Sequence, residues 1–169
     1  ALEQIRLWNN PTYNLGNMQI SIGLYVGKAS LPNTNQDLVD EVQNWTHTHG
    51  RVPLDTCPWC GSLIDPIRKN NEQHFRCHNI HCTFGGQNIY PVRLCDEHIY
   101  KMPPTLLFGT VDKFAQLAHK VDENDVKGDS RSIFGINNGC LSPDLIIQDE
   151  LHLLLGPLGS AVSLYECAI

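Results

Sequence analysis

The sequence predicts an α/β fold in which a parallel sheet is flanked by helices and a small cysteine-rich module is inserted. Residues 18–26 alternate apolar and polar side chains, which is typical of a strand. Another apolar run, at residues 106–108, is followed by helical spacing, and a strand followed by a helix is typical of α/β proteins. Between them, residues 56–92 lose long periodicity and gain cysteine, glycine, asparagine and histidine, which indicates the inserted module.

Composition limits the classes of protein that the chain can belong to. It has 169 residues, of which 41% are hydrophobic and 18% charged, so it is globular and suits one domain or a small domain with an insertion. The net charge of −6 is a poor overall match to a phosphate backbone. Any contact with nucleic acid must therefore be local, or shared with other parts of a larger protein.

The sequence contains no sign of a membrane segment or of a secretory signal. No apolar run approaches the roughly 20 residues that span a bilayer. The opening residues, ALEQIRLWNN, lack a basic stretch followed by an apolar one. We therefore expect no membrane partner and a cytoplasmic location.

Two helices are predicted near the start of the chain. Leu2, Ile5 and Trp8 recur at helical spacing, and Pro11 is expected to end the first helix. Thr34, followed three residues later by Asp37, resembles a capping box for the second. The residues expected to form the buried face of that second helix are Leu38, Val42 and Trp45.

The second half of the chain shows the same strand and helix periods. Residues 106–108 are expected to form a buried strand, and Asp112 is expected to cap the helix that follows. Residues 121–132 are polar and charged and predict a surface loop, whereas residues 145–147 predict another short strand.

Four of the seven cysteines have the spacing of a metal site. Cys57 and Cys60 form a CPxCG turn, and Cys77 and Cys82 follow about 16 residues later, so four thiolates can converge on one tetrahedral ion. Zinc suits four thiolates, and a site without an open position is structural. The competing readings are buried cysteines that pack as small hydrophobes, and disulfides. Neighbours close enough to replace one ligand are His74, His78, His81 and Cys95.

A second constellation follows the apolar run at 145–147. Gln148, Asp149, Glu150 and His152 would stand at the carboxyl end of a strand, where open α/β sheets bind their ligands. In nucleotide hydrolysis one acid holds Mg²⁺ and the other polarises the attacking water. The alternative is a solvated strand end. The stretch from Gly23 to Ser30 resembles a phosphate-binding loop, but only three residues separate its glycines and Ala29 follows Lys28, so we reject it.

Two segments, PPTLLFGTVDKFAQLA and PDLIIQDELHLLLGPLGSAVSLYE, together resemble the first motor domain of superfamily-two helicases. The resemblance is strongest to the large helicase of the DISARM phage-defence system and its relatives, which carry a CPWCG-type ribbon ahead of these segments. It implies a partial RecA-like motor domain over residues 1–55 and 96–169, with an inserted zinc ribbon over residues 56–95.

The resemblance also implies roles for individual residues. Asp149 corresponds to the acid that coordinates Mg²⁺, Glu150 to the catalytic base that acts on bound ATP, and His152 to the residue that links hydrolysis to nucleic-acid movement. Thr110 and Lys113 lie in the segment that faces the nucleic-acid backbone in similar helicases. The implied partners are nucleic acid, expected to be DNA, and the remaining motor domains of the same parent.

A superfamily-two motor also needs a phosphate loop, later motifs and a second motor domain, and these are missing here. We therefore expect a fragment that does not hydrolyse ATP alone, with exposed sheet edges that could pair two copies. Two rivals stay open. One is a non-enzymatic zinc-ribbon module that binds nucleic acid or protein. The weaker one is a metal-dependent nuclease or hydrolase built around Asp149, Glu150 and nearby histidines.

Overall fold

The computed structural model describes residues 2–45, 50–118, 128–136, 139 and 141–149. The helices are α1 (Leu2–Tyr13), α2 (Asn35–Gln43), α3 (Asp96–Lys101) and α4 (Val111–Ala115), with 3₁₀ turns at Gln116–Ala118 and Ser130–Phe134. The strands are β1 (Ile22–Tyr25), β2 (Ile64–Lys69), β3 (Glu72–Cys77), β4 (Val92–Arg93) and β5 (Leu106–Gly109).

The described strands form a parallel sheet and a separate hairpin. The sheet has the order β4-β1-β5, and Ile22 of the central strand is in register with Val92 and with Leu106. The hairpin pairs β2 with β3 in antiparallel fashion and turns at Asn70 and Asn71, both with positive φ. The predicted α/β class, with a parallel sheet, flanking helices and an inserted cysteine-rich module, is confirmed.

Strand β1 lies between two apolar cores because successive side chains of a strand point to opposite faces. Leu24 packs against a core built from α2, the hairpin, the cysteine turns and the segment around β4. Tyr25 is fully buried in the other core, with Ile99, Tyr100 and Ile133. The first core joins Leu38 of α2 to residues of the cysteine-rich module, so the module packs on the sheet-bearing part of the chain.

The predicted second helix is confirmed in detail. The Thr34 side chain accepts a hydrogen bond from the backbone N–H of Asp37 at 3.0 Å. Leu38 is buried, and Val42 and Trp45 pack against the first core, as the spacing predicts.

The first helix differs from its prediction in two ways. It continues through Pro11 to Tyr13; the proline lies in the last turn, so the hydrogen bond that it removes weakens only the end of the helix. Its polar side faces inward, where Glu3 pairs with Arg6 and accepts a hydrogen bond from the backbone of residue 20 at 2.7 Å. Its apolar residues are therefore exposed, including Leu2, Ile5 and Trp8.

Three expectations for the second half are wrong. Strand β5 is at the sheet edge, and its Phe108 is 57% exposed rather than buried. The cap of α4 is Thr110, and Asp112 lies in the first turn. Residues 145–147 are exposed and are not a strand, and they pair with neither outer strand of the described sheet.

The loop predicted over residues 121–132 ends in a buried 3₁₀ turn. The Ser132 hydroxyl donates to the backbone carbonyl of Tyr100 at 2.7 Å, and the neighbouring Ile133 enters the second core. Residues 121–127 lie outside the described chain.

Candidate metal centre

The first cysteine turn, at residues 57–61, is shaped to hold sulfur. The backbone N–H of Gly61 donates to the carbonyl of Cys57 at 2.9 Å, and Gly61 has a φ of 74°. Glycine adopts this conformation without a steric penalty, which explains its place after the second cysteine. The N–H groups of Trp59 and Cys60 point at the Cys57 sulfur, at 3.4 and 3.5 Å. The turn thus supplies two donors to one sulfur.

The second turn follows directly from strand β3. Cys77 ends β3, and its N–H donates to the carbonyl of Phe84 at 2.7 Å, which folds the chain back on itself. The N–H of Cys82 donates to the carbonyl of Asn79 at 3.0 Å. The two turns are tied together because the N–H of His78 reaches the carbonyl of Leu63 at 2.9 Å.

The four sulfur atoms of Cys57, Cys60, Cys77 and Cys82 lie within 4.8 Å of one another. The Cys60 and Cys77 sulfurs are 3.4 Å apart, and the Cys57 and Cys82 sulfurs are 3.9 Å apart. Both distances are too long for a disulfide bond, and all four thiols are free. Sulfurs at about 2.3 Å from a tetrahedral zinc are roughly 3.8 Å from each other. The cluster could therefore hold a metal ion such as zinc.

The four thiols differ in how readily they lose a proton. Hydrogen bonds from the Ser62 hydroxyl and backbone lower the pKa of the exposed Cys60 to about 6. Burial alone would raise the pKa of Cys57, but hydrogen bonds from Tyr90 and from the backbone of Cys60 and Trp59 outweigh it and lower that pKa. Burial raises the pKa of Cys77, to about 12, and also that of Cys82. A bound divalent cation would favour the thiolate form of all four.

A buried hydroxyl beside the sulfurs supports the fit of a cation. Tyr90 is 3% exposed, and its hydroxyl has no nitrogen or oxygen partner among the described residues. A buried hydroxyl without an acceptor is unfavourable, and the neighbours that it can serve are the sulfurs of Cys57, foremost, and Cys77. Thiolates held by a cation would supply the missing acceptor.

The competing ligands named from the sequence lie outside the sulfur cluster within the described chain. His78 pairs with Asp65, whose carboxylate is 3.0 Å from Nδ1. The His74 ring stacks on His98 at 5.6 Å between centroids. Cys95 is buried at the start of α3, where burial raises its pKa to about 12.

The residues expected to contact nucleic acid have contrasting environments. Thr110 is exposed, at the start of α4. Lys113 is buried, and its Nζ lies 2.6 Å from Oδ2 of Asp96 and 5.1 Å from the centre of the Tyr25 ring. The ammonium group of Lys113 therefore faces the interior, and the contacts at both residues stay predictions.

The structure describes only the first member of the acidic motif. Asp149 is exposed and lies in a stretch without regular secondary structure. Glu150 and His152 lie outside the described residues.

Two sets of residues in the structure were not expected from the sequence. Tyr90 is one, because no motif or spacing in the sequence links this tyrosine to the cysteines. The other is a polar network around Asn35, whose side-chain oxygen accepts from Gln73 of the hairpin at 2.8 Å and faces Nε2 of His98 at 3.1 Å. The N–H of Asn35 donates to Glu97 at 2.8 Å. This network joins the hairpin, α2 and α3.

The fold and the sulfur cluster define an α/β protein with an inserted module that could bind a metal ion. The chain is similar to DISARM protein DrmA of Bacillus paralicheniformis, with 30% identity over 205 aligned residues that cover 94% of the chain. This confirms the resemblance that the motifs predict. The chain spans 18% of the length of that relative. No family model matches it, and no helix in the described part is long and apolar enough to cross a membrane.

Proposed function

We propose that the chain is part of the first motor domain of an ATP-driven DNA helicase or translocase that acts in phage defence. The observation that carries this proposal is the similarity to DISARM protein DrmA along 94% of the chain. The parallel sheet with helices around it supports the proposal, because such sheets bind ligands at their carboxyl edge. Residues 1–55 and 96–169 would belong to a RecA-like motor and residues 56–95 to a zinc ribbon, all in the cytoplasm.

The chemistry would come from the acidic motif. Asp149 would hold Mg²⁺ on bound ATP, and Glu150 would orient and polarise the attacking water, so two neighbouring carboxylates have separate tasks. His152 would link this step to movement along nucleic acid. The rest of the parent would supply the phosphate loop and the second motor domain.

The sulfur cluster would have a structural role. Its four positions are all thiols, so a bound zinc would have no open position for water or substrate. Three of the cysteines lie in the core that also contains Leu38 and Leu94. Zinc would thus fix the module against α2 and the segment after β4.

Contact with nucleic acid would be local, because the net charge of the chain is −6. Thr110 is exposed and needs no rearrangement to reach a phosphate. Lys113 would first have to leave Asp96. In this structure we therefore expect Thr110 to contribute more than Lys113 to the binding of nucleic acid.

The direct experiment is the ATPase activity of the full-length parent with and without DNA or RNA. Glu150→Gln keeps the shape of the side chain but removes the general base, so turnover is expected to fall at least ~100-fold, in the range typical of general-base loss. Asp144→Asn is the matched control, because Asp144 is an exposed carboxylate outside the motif, and it should retain full activity. Equal activity of wild type and Glu150→Gln, or none in either, would contradict the proposal.

One observation favours the alternative of a non-enzymatic binding module. The cysteine-rich module exposes Trp59, Leu63 and Ile80, and the exposed Trp8 of α1 contacts the Trp59 ring at 5.0 Å between centroids. Such a surface suits a protein or nucleic-acid partner. Absence of ATPase activity in the parent together with binding that is lost in Trp59→Ala would support this alternative.

The sheet edges could pair two copies of the chain. β4 and β5 are the outer strands of the described sheet, and unpaired strand edges favour association. Light scattering after size-exclusion chromatography is expected to show a dimer, and a strict monomer would contradict this part of the proposal.

A further inference from the structure

The Tyr90 hydroxyl is held in the interior beside the cysteine cluster. The backbone N–H of Tyr90 donates to the carbonyl of Phe75 at 2.8 Å, and its ring packs 5.3 Å from the Phe84 ring. Both phenylalanines belong to the core that includes Cys57, Cys77 and Cys82. The ring is therefore fixed from two sides, and its hydroxyl has little freedom to seek a distant partner.

Sulfur is the acceptor that this position offers. No nitrogen or oxygen acceptor serves the Tyr90 hydroxyl within the described chain. The Cys57 and Cys77 sulfurs are its neighbours, with Cys57 the stronger influence, although neither reaches strict hydrogen-bond geometry. A thiolate is a stronger acceptor than a thiol, because hydrogen bonds to charged groups are shorter and stronger.

The Cys57 sulfur also has hydrogen-bond donors in its own turn. Cys57 already receives the N–H groups of Trp59 and Cys60 from its own turn. Both donors belong to exposed residues of the turn, whereas Tyr90 belongs to the buried core. A third donor, from the core, would further fix the orientation of the sulfur.

We propose that Tyr90 is a positioning residue of the metal centre, whose hydroxyl donates a hydrogen bond to the Cys57 thiolate when the four cysteines hold a cation. The proposal rests on the proposed metal site. Outer groups that hydrogen-bond to ligands orient them and tune the bound metal, and their loss commonly weakens affinity. Tyr90 would thereby connect the metal to the core shared with α2.

The test uses Co²⁺ as a coloured substitute for Zn²⁺ in the wild type and in Tyr90→Phe. This variant removes one oxygen and keeps the ring against Phe84. We expect a roughly fivefold to tenfold loss of Zn²⁺ affinity in chelator competition, the scale of one hydrogen bond. We also expect the sulfur-to-cobalt charge-transfer band to move to lower energy, because a thiolate without its hydrogen bond gives up charge more easily. The control is Tyr13→Phe, which removes an exposed hydroxyl and should change neither the Zn²⁺ affinity nor the energy of the cobalt band.

The outcomes separate this proposal from the metal site itself. If the wild type shows no tetrahedral thiolate spectrum with Co²⁺, the metal site is wrong, and this proposal falls with it. If wild type and Tyr90→Phe both bind Co²⁺ with the same band and affinity, the site stands and the role of Tyr90 is overturned. Should Tyr90→Phe fail to fold, the Cd²⁺-loaded wild type decides by NMR. A scalar coupling between the Tyr90 hydroxyl proton and the ¹¹³Cd nucleus through the sulfur supports the bond, and an observed hydroxyl signal without this coupling overturns it.

Discussion

The Nζ atom of Lys113 lies 2.6 Å from Oδ2 of Asp96, and both side chains are almost completely buried. Asp96 begins α3, which follows β4, and Lys113 lies in α4, which follows β5, so the pair joins two helices at the carboxyl edge of the parallel sheet. Lys113 also lies over the ring of Tyr25, at the end of β1. Through these two contacts, Lys113 connects the helices that follow β4 and β5 with the end of β1.

Removing one member of this pair should destabilise the fold strongly. Lys113→Met removes the cation that faces the buried Asp96 carboxylate, and breaking a buried ion pair in this way typically costs about 3–5 kcal/mol. Chemical denaturation measures the loss. The control is Lys101→Met, which breaks the exposed pair with Glu72 and should cost less than about 1 kcal/mol. Equal effects of the two variants would contradict a special role for the buried pair.

Gly85 should be intolerant of any side chain. A Cβ atom there would lie 2.1 Å from the backbone carbonyl oxygen of Asn79, inside the second cysteine turn. Backbone cannot yield as a flexible side chain can, so Gly85→Ala should cost about 2 kcal/mol or more and weaken metal binding. Gly27→Ala is the control, since a Cβ there meets nothing within 4 Å. Thermal unfolding of both variants with and without Zn²⁺ checks this, and unchanged stability of Gly85→Ala would argue against the turn geometry.

Stability should fall on mild acidification because of His98. Burial lowers its pKa to about 4 from an ordinary value of 6.5; His74 and Arg93 add to the decrease, whereas Glu72 and Glu97 oppose it. The unfolded chain therefore binds more protons between pH 6.5 and pH 4, so stability is full above pH 6.5 and is lost as the pH falls toward 4. The contribution is about 3 kcal/mol, since one pKa unit corresponds to about 1.4 kcal/mol.

Denaturation across this pH range tests the histidine directly. His98→Gln keeps a polar group facing Asn35 but does not titrate, so its stability should vary less with pH than that of the wild type. Metal binding also depends on pH, so both proteins are compared at saturating Zn²⁺. Identical slopes in both proteins would rule out His98 as the cause.

Much of the fold follows from short-range chemistry that the sequence displays. The cap at Thr34 and the inward face of α2 are local, since neighbouring residues decide them. The four cysteines converge because two tight turns and a hairpin leave them few other arrangements.

The misjudged elements depend on distant partners. The apolar stripe of α1 predicts an inward face, but the Glu3–Arg6 pair satisfies the backbone of residues 16 and 20, so the polar side is buried. Residues 145–147 have the composition of a strand but pair with neither β4 nor β5, the outer strands of the described sheet. The burial of Lys113 is also invisible in the sequence, because only the tertiary structure brings Asp96 next to it. Periodicity contains no information on such partners.

Removal of the metal should affect more than the cysteine turns. The core around Cys57, Cys77 and Cys82 also contains Leu38 of α2 and Leu94. With a zinc chelator, backbone amides of β2 and β3 should lose protection from hydrogen exchange first, and α2 should follow. Residues around Tyr25 and Ile99 lie in the other core and should keep more protection. If the chelator lowered protection equally in both cores, or in neither, the structure would not have two separate cores of which one depends on zinc.

The most direct test of the account is to count the zinc ions in the 169-residue chain by native mass spectrometry, after purification under reducing conditions with Zn²⁺. Wild type and Cys95→Ala should each contain one zinc, because Cys95 lies outside the sulfur cluster. Cys60→Ser should hold far less, since Cys60 is an exposed ligand whose loss disturbs the core little. A wild type without zinc, or a Cys60→Ser variant that retains a full equivalent at the same affinity, would contradict the four-cysteine metal centre.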